Sequence, residues 1–287
     1  MKPVKNTRLI SGRLSVPSDE WSKIPRTVWD DLEFRLAKTR LELYSSFRLL
    51  QERYTAAGLS TDQQPIRVEP FHFWRQSQVF VAIRNGRIVG CLTLVRPGPF
   101  GMPSEHSHPE MLGAVPLGSA VGEVTSFAIA NNCGPHSLDI FLGLTQLVQR
   151  FGIHNHVEVI FAVVHPRHAR FYERAIGFKV IGEELPCERV KGSPGLALMV
   201  KLDANDACRS QWQECYDLKE VRDDDADLRP RSMTESHKRF FSQYLPLDAR
   251  PTTHDVPPRR AHQQSQLLYN FQIQSLSDHT SNTDRTS

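Results

Sequence analysis

The stretch HPRHARFYERAIGF, residues 165–178, concentrates side chains that could do chemistry. Two histidines, three arginines and a tyrosine follow VEVIFAVV (157–164), an apolar run that is typical of a buried strand. Such a cluster at a strand end is compatible with three functions. It can be a metal site, a basic patch for an acidic partner, or the start of a helix that carries a catalytic group.

A metal site at this cluster would need three or four converging ligands. His165 and His168 are three residues apart, and His106 and His108 form a second pair. Pro166 follows the first histidine at a predicted helix start, so we expect the two side chains to point in different directions. The sequence therefore predicts no metal ion here.

A second candidate for chemistry is Glu123, which begins the segment EVTSFAIA (123–130). A glutamate at the start of a strand can simply form a salt bridge at the sheet edge. Burial beside small and hydroxyl residues would instead raise its pKa and suit it to act as a general base. Thr125 and Ser126 follow it, where they can line a substrate pocket or lie on the strand surface.

Strands are predicted where apolar runs are bounded by turn residues. QVFVAIR (78–84) and RIVGCLTLV (87–95) flank Asn85-Gly86, which signals a hairpin because both turn residues need positive φ. The other predicted strands cover residues 34–39, 123–130, 157–164, 178–182 and 196–202.

Three segments between these strands predict helices. The first begins with a capping box of the form S/T-x-x-E at Thr39 and ends near Gly58. The second, residues 139–152, has apolar side chains on one face, and we expect Gly152 to end it. The third, residues 166–176, has proline in its first turn. Strands that alternate with helices predict an α/β layer fold with a mixed sheet.

The two ends of the chain lack this periodicity. Residues 1–33 mix serine, proline and charge, and predict a loose arm before a domain that spans 34–203. Residues 204–287 have too few apolar side chains to offset their ordering entropy, so we predict a polar, mostly disordered tail. Within it, RFFSQYL (239–245) and LLYNFQI (267–273) are either short docking segments or transient helix and loop.

Composition argues against several classes of protein. The 287 residues have a net charge of +3, too small to predict nucleic-acid binding from charge. The five cysteines are scattered without a C-x-x-C pair, which argues against a disulfide framework and fits a reduced, cytoplasmic setting. No stretch approaches the roughly 20 apolar residues that span a bilayer, and the N-terminus lacks the apolar core of a signal peptide.

The element order and two motifs resemble the GNAT acyltransferase fold, and more narrowly the FeeM-like long-chain N-acyl amino acid synthases, relatives of the acyl-homoserine-lactone synthases. The motifs are E-V-T-S-F-A-I from Glu123 and H-P-R-H-A-R-F-Y-x-R-x-x-G-F from His165, and the resemblance covers residues 34–203. It implies a GNAT-like mixed sheet flanked by helices. It also implies an enzyme that moves a fatty acyl group from acyl carrier protein to the amine of an amino acid.

The resemblance implies direct transfer without a covalent acyl-enzyme. The attacking amine must be neutral, and Glu123 is the expected base, directly or through water. Tyr172 takes the place of a GNAT tyrosine that assists the departing thiolate, although packing at a helix–strand corner is an equal alternative. Thr125 and Ser126 would line the acceptor pocket, and His165 the pantetheine channel. Backbone N–H groups where the fourth strand splays away would hold the oxyanion.

The implied donor is acyl-phosphopantetheine on acyl carrier protein, or acyl-coenzyme A, with no permanently bound cofactor. Coenzyme A enzymes of this fold carry a Q/R-x-x-G-x-G/A turn that cradles the pyrophosphate. The NNCGP turn here has one glycine and no basic residue, so we expect Asn132, Cys133 and Gly134 to hold a single phosphate. Arg167 and Arg170 would dock the acidic carrier protein, unless they form only a solvated helix face.

The carboxylate of the acceptor needs a cation, and Arg48 is the first candidate because a guanidinium binds a carboxylate with two hydrogen bonds. His72 and Arg75, in PFHFWRQ, are the alternatives. The aromatic residues of that segment can form part of a substrate pocket or of the core.

Two other functions fit the same residues. One is an N-acetyltransferase that uses acetyl-coenzyme A, and the other is a GNAT-shaped module that binds acyl carrier protein without turnover. Comparing acyl donors separates the first from the proposed synthase. Carrier binding without any product would identify the second.

Overall fold

A mixed sheet of seven strands runs through the described part of the chain, which comprises residues 32–60, 64–98, 101–105, 107–202 and 228–245 of a computed structural model. The strands are β1 Leu32–Leu36, β2 Ser77–Arg84, β3 Arg87–Val95, β4 Val121–Ile129, β5 Val159–Val164, β6 Lys179–Cys187 and β7 Ser193–Lys201. Their order in the sheet is β1-β2-β3-β4-β5-β7-β6. The β4–β5 pair is parallel and the other five pairs are antiparallel.

Helices pack on both faces of this sheet. They are α1 Arg40–Ala56, α2 Glu110–Gly113, α3 Ser137–His154, α4 Pro166–Ile176 and α5 Glu235–Ser242. Alternate residues of β2 point to opposite faces, so Val79 and Val81 join the core under α1, while Phe80 and Ala82 join the core under α3. Within the described residues, no helix has the length and apolar composition needed to cross a membrane. The predicted α/β layer fold with a mixed sheet is confirmed.

Several local predictions are confirmed to within a few residues. The hairpin turn between β2 and β3 has φ of 50° at Asn85 and 70° at Gly86. Helix α1 begins with the complete capping box at Thr39, and α4 covers the predicted residues 166–176. These features depend on short-range backbone preferences, which can be predicted from the types of neighbouring residues.

The predicted end of the second helix is wrong. Helix α3 continues past Gly152 to His154, and the left-handed residue that follows it is His156, with φ of 55°. Gly152 is buried within the helix, where a Cβ atom would lie 2.4 Å from Cδ1 of Leu202. The glycine therefore permits close contact with the end of β7 and does not terminate the helix.

The capping box of α1 also holds an ion pair that makes stability depend on pH. Partial burial raises the pKa of Glu42, but hydrogen bonds from Arg35 and from the backbone N–H groups of Lys38 and Thr39 outweigh that effect and lower the pKa to about 2. A depressed carboxyl pKa stabilises the fold above the unfolded value of 4.5, and this contribution is lost as pH falls toward 2.

Replacing Glu42 with glutamine is expected to lower the free energy of unfolding by about 1 kcal/mol at pH 7, after allowance for solvent screening. The difference between the variant and the wild type should shrink as pH falls from 4.5 toward 2, because both side chains are then neutral. Urea unfolding across this pH range measures it. A difference that does not change with pH would mean that the charge of Glu42 is irrelevant.

One part of the predicted tail is folded. Leu228 joins the core under α3, whereas Met233, Phe241 and Leu245 join the core under α1. The ring of Phe241 on α5 is fully buried in edge contact with Phe47, 5.2 Å between centroids. RFFSQYL (239–245) is therefore a docking segment, and its partner is the chain's own helix. Helix α5 has eight residues, which is too few for hydrophobic periodicity to predict a helix from the sequence. Residues 1–31 of the arm predicted at 1–33, and the rest of the tail, including LLYNFQI, lie outside the described residues, whereas Leu32 and Glu33 begin β1.

Candidate active site

Strands β4 and β5 separate in the middle of the sheet. Their parallel ladder ends at Val124 and Ala162, whereas β4 continues to Ile129 and β5 to Val164. Beyond Val124, β4 also changes register against β3, and Ser126 has φ of 53°. Backbone groups of β4 on this side are therefore released from the β4–β5 ladder. The predicted splay of the fourth strand is present, and it opens a cleft between the two strands.

Glu123 lies one residue before the end of that ladder and is 1% exposed. Its two carboxylate oxygens accept hydrogen bonds from Ser104, one from the hydroxyl at 2.6 Å and one from the backbone N–H at 2.9 Å. Burial raises the pKa of the Glu123 carboxyl, although Arg189, Ser104 and His108 oppose the shift. A carboxylate with a raised pKa and a buried setting is suited to take a proton near neutral pH.

The loop that carries Ser104 is anchored by a buried histidine. His108 is fully buried, with Nε2 3.2 Å from the carbonyl oxygen of Gly195 on β7 and Nδ1 3.0 Å from the hydroxyl of Ser107. These contacts hold the loop over Glu123. Ser104 and His108 stand in the PFGMPSEHSHPE segment (99–110), but residue types alone did not indicate that they would meet Glu123.

Arg189 is the charged residue of this site that sequence reasoning missed. It lies in the turn between β6 and β7, and its Nη2 donates to the hydroxyl of Thr125 at 3.3 Å. Its guanidinium stacks over the ring of Phe71, 4.8 Å from the centroid. Nε of Arg189 is buried and has no hydrogen-bond partner in the structure. Arg67 stabilises the turn by donating a hydrogen bond to the backbone carbonyl oxygen of Arg189 at 2.8 Å.

Tyr172 lies on α4 among aromatic rings. Its ring makes edge contacts with Phe141 at 5.6 Å and Phe178 at 5.9 Å between centroids. Burial raises the pKa of the Tyr172 phenol, and the nearby Tyr54 phenol raises it further. The hydroxyl therefore stays protonated at neutral pH and can donate a hydrogen bond.

An apolar cavity of about 30 Å³ adjoins Tyr172 where β4 and β5 separate. It is enclosed by side chains from both strands and from α3 and α4, including Val124, Phe127, Phe141 and Ile160. A cavity of this size holds about two water molecules. It is therefore too small to be a pocket for a large polar group.

The turn predicted to hold phosphate is more constrained than its sequence indicates. The Cys133 side chain is buried, its backbone N–H donates to Ala130, and Gly134 takes φ of 51°. Asn132 is exposed. Arg53 of α1 reaches this turn and donates a hydrogen bond to the side chain of Asn131.

The start of α4 differs from the prediction in one respect. The rings of His165 and His168 lie 6.2 Å apart in an edge arrangement, so the two side chains do not point away from each other. Nδ1 of His165 caps the helix by accepting from the Arg167 backbone at 3.3 Å, and Nε2 of His168 accepts from the Arg167 side chain at 3.0 Å. Arg167 and Arg170 are exposed on the helix surface. In the described ranges, no three His, Cys, Asp or Glu side chains converge as metal ligands.

The three residues predicted to bind the acceptor carboxylate lie in different surroundings. The Arg48 side chain is 61% exposed and pairs with Glu52 one turn along α1, at 3.4 Å. Burial, with the nearby charges of Arg189 and Arg67, lowers the pKa of His72 to about 3, so its ring is neutral at pH 7. Arg75 is exposed. The structure brings Glu123, Thr125 and Arg189 together. His72 adjoins this cluster as a neutral ring, because it contacts Phe71, 4.5 Å between centroids, and the guanidinium of Arg189 stacks on Phe71.

A mixed sheet that splays at β4 and β5 beside a buried glutamate defines a GNAT-like N-acyltransferase. The family model of the N-acyl amino acid synthase FeeM matches residues 45–201, which is more than half of the chain. The chain therefore belongs to the FeeM N-acyl amino acid synthase family, and the resemblance inferred from the sequence is confirmed. No curated protein sequence matches it.

Two solved structures share the fold. FeeM, an N-acyl amino acid synthase from uncultured soil microbes, is 20% identical with a TM-score of 0.52, covering 60% of this chain and 91% of that one. The acyl-homoserine-lactone synthase LasI is 14% identical with a TM-score of 0.50, covering 63% of this chain and 92% of that one. At these identities the likeness concerns the fold.

Proposed function

We propose that this N-acyltransferase moves a long-chain fatty acyl group from acyl carrier protein directly to the amine of an amino acid. The observation that carries the proposal is the position of Glu123. A buried carboxyl with a raised pKa lies next to the point where β4 leaves β5 and its backbone groups become available. A base and a source of oxyanion donors are thus adjacent in the fold.

In the proposed reaction, Glu123 takes a proton from the acceptor ammonium, directly or through water. The neutral nitrogen then attacks the thioester carbonyl carbon, and the carbonyl oxygen becomes an oxyanion. Backbone N–H groups of β4 beyond Val124 stabilise this charge. When the intermediate collapses, the carbon–sulfur bond breaks and the nitrogen loses its second proton, which passes through water to the departing sulfur. The amide forms, and pantetheine leaves as a thiol, with the first proton held by Glu123.

Tyr172 assists the leaving sulfur by hydrogen bonding. A thiol has a pKa of about 8.5, whereas that of the Tyr172 phenol is raised above the ordinary value of 10. Complete proton transfer from the phenol to the thiolate is therefore uphill. A hydrogen bond to the developing negative charge on sulfur still lowers the barrier to its departure.

The acyl chain is proposed to enter the cleft between β4 and β5. The aromatic and aliphatic lining of the inner cavity suits a hydrocarbon chain. A volume of about 30 Å³ is too small for a long chain, so side chains such as Phe127 and Thr145 would have to shift as it enters.

Carrier protein suits the donor side better than coenzyme A. The turn at 131–136 offers one glycine and the contact from Arg53, which fits a single phosphodiester more readily than a pyrophosphate with a nucleotide. Arg167, Arg170 and Arg174 are exposed at spacings of three and four on α4, so they share one face of the helix. We propose this arginine face as the surface that docks the acidic carrier protein.

The donor assignment is tested by comparing palmitoyl-acyl carrier protein, palmitoyl-coenzyme A and acetyl-coenzyme A as substrates of the purified protein. We expect the carrier protein to be the best donor, with a kcat/KM that falls as ionic strength rises because docking is electrostatic. Arg167→Glu combined with Arg170→Glu should weaken the carrier-dependent reaction and spare the reaction with palmitoyl-coenzyme A. Preference for acetyl-coenzyme A, with no effect of salt, would contradict the assignment.

A further inference from the structure

We infer that Arg189 binds the carboxylate of the acceptor, and so selects amino acids over amines that lack a carboxylate. The inference rests on the proposed function. No other residue so far assigned to the reaction can recognise this group, because Glu123 and Tyr172 act on the amine and on the thioester. Arg48, His72 and Arg75, which the sequence suggested, are exposed or neutral.

Arg189 lies near Glu123, on the same face of β4. Arg189 is hydrogen-bonded to Thr125, which lies two residues after Glu123 on the same strand. Side chains two residues apart point to the same face, about 6.7 Å from each other. In an α-amino acid the nitrogen and the carboxyl carbon are about 2.5 Å apart. An amino acid bound between these two side chains would present its amine to Glu123 and its carboxylate to Arg189, with a hydrogen bond at each end.

Arg189 also has unused capacity to bind an anion. Among the described residues, no carboxylate lies within salt-bridge distance of its guanidinium, and its buried Nε lacks an acceptor. Its neighbour Arg67 differs, because it is paired with Glu69 at 2.6 Å. A buried N–H donor without an acceptor is costly, so a carboxylate that accepts from it would gain affinity by removing that cost.

The surroundings of Arg189 hold the guanidinium in place before a ligand arrives. Phe71, which is buried, supports one face of the group, and Thr125 accepts from one nitrogen. Stacking and a fixed hydrogen bond leave the remaining donors aligned for a planar carboxylate. Lysine would keep the charge but lose this alignment.

The test compares tyrosine with tyramine, which has the same side chain and amine but no carboxylate, as acceptors for palmitoyl-acyl carrier protein. We expect Arg189→Ala to lower kcat/KM for tyrosine about 100-fold, mainly through KM, so that the preference for tyrosine over tyramine collapses. Arg189→Lys should recover part of the loss. Arg87→Ala, which removes an exposed arginine at the start of β3, is the charge-matched control and should keep the wild-type preference.

Thermal unfolding of each variant checks that the fold is retained, and Arg189→Lys supplies the comparison if the alanine variant does not fold. A folded Arg189 variant that keeps the wild-type tyrosine to tyramine ratio would overturn the inference and leave the proposed function intact. Wild-type protein that acylates neither acceptor, nor any other amino acid, would overturn the proposed function and the inference with it.

Discussion

Replacing Glu123 with glutamine is expected to lower kcat/KM for acyl transfer by about 10²–10⁴-fold. The amide is close in shape to the carboxyl and can still accept a hydrogen bond from Ser104, but it cannot take a proton. Steady-state kinetics with a long-chain acyl carrier protein and an amino acid measure the loss. Glu158→Gln, which changes an exposed glutamate just before β5, is the matched control and should retain activity.

The same substitution should not destabilise the fold. Burial raises the pKa of Glu123 above its unfolded value of 4.5, so ionisation of the carboxyl opposes folding. Stability is therefore lost as pH rises from 4.5 through the raised pKa of the folded state. A neutral glutamine avoids this cost at pH 7. Thermal unfolding at pH 7 should therefore place Glu123→Gln at or above the wild type.

The dependence of activity on pH gives a further check on this role. Because Glu123 must be ionised to act as the base, wild-type kcat/KM should rise with pH through an ionisation above 4.5, the ordinary value for this carboxyl. The residual activity of Glu123→Gln should lack that ionisation. A variant that keeps both full activity and the wild-type pH profile would show that another group is the base.

Replacing Phe241 with alanine is expected to lower the free energy of unfolding by about 3–5 kcal/mol. The ring is fully buried between Phe47 of α1 and Phe240 of its own helix, at 5.2 Å and 5.0 Å between centroids, so truncation leaves a cavity in the core under α1. Urea denaturation of the full chain measures the change.

Arg239→Ala on the same helix is the control for Phe241→Ala. Its side chain is exposed, and the substitution should shift stability by less than about 0.5 kcal/mol. If the two variants were equally stable, residues 228–245 would not form part of the core. The domain would then end at residue 203, as the sequence predicts, and would not include this segment.

Local signals in the sequence predicted much of the fold. The Asn85-Gly86 turn and the capping box at Thr39 depend on neighbours a few residues away, so their residue types were sufficient. The prediction at Gly152 was wrong because a glycine can either end a helix or allow close packing within it. Here the glycine allows close packing against Leu202, which lies 50 residues later in the sequence. Helix α5 was not predicted because its stability comes from contact with α1 and not from its own periodicity.

The candidate site shows the same division between local and distant information. Glu123 was identified through a motif on one strand. Its hydrogen-bond partner Ser104 comes from a loop 19 residues away, and Arg189, which contacts Thr125, comes from a turn 66 residues away. A lone arginine in a hairpin turn is usually solvated, so nothing in its own sequence context distinguished Arg189. Arg48 and His72 were chosen for chemical type, and their surroundings could not be predicted: Arg48 is exposed and paired with Glu52, and burial lowers the pKa of His72.

The most direct test of the central claim is mass spectrometry of lipid extracts from a heterologous host that expresses the chain, with the Glu123→Gln variant as the control. We expect the wild-type extract to contain new N-acyl amino acids with long acyl chains, reduced by about 100-fold or more in the variant. The masses and fragments identify the reaction, the acceptor and the acyl length together. Extracts without any new acylated amine, from cells in which the folded protein still binds acyl carrier protein, would contradict the claim.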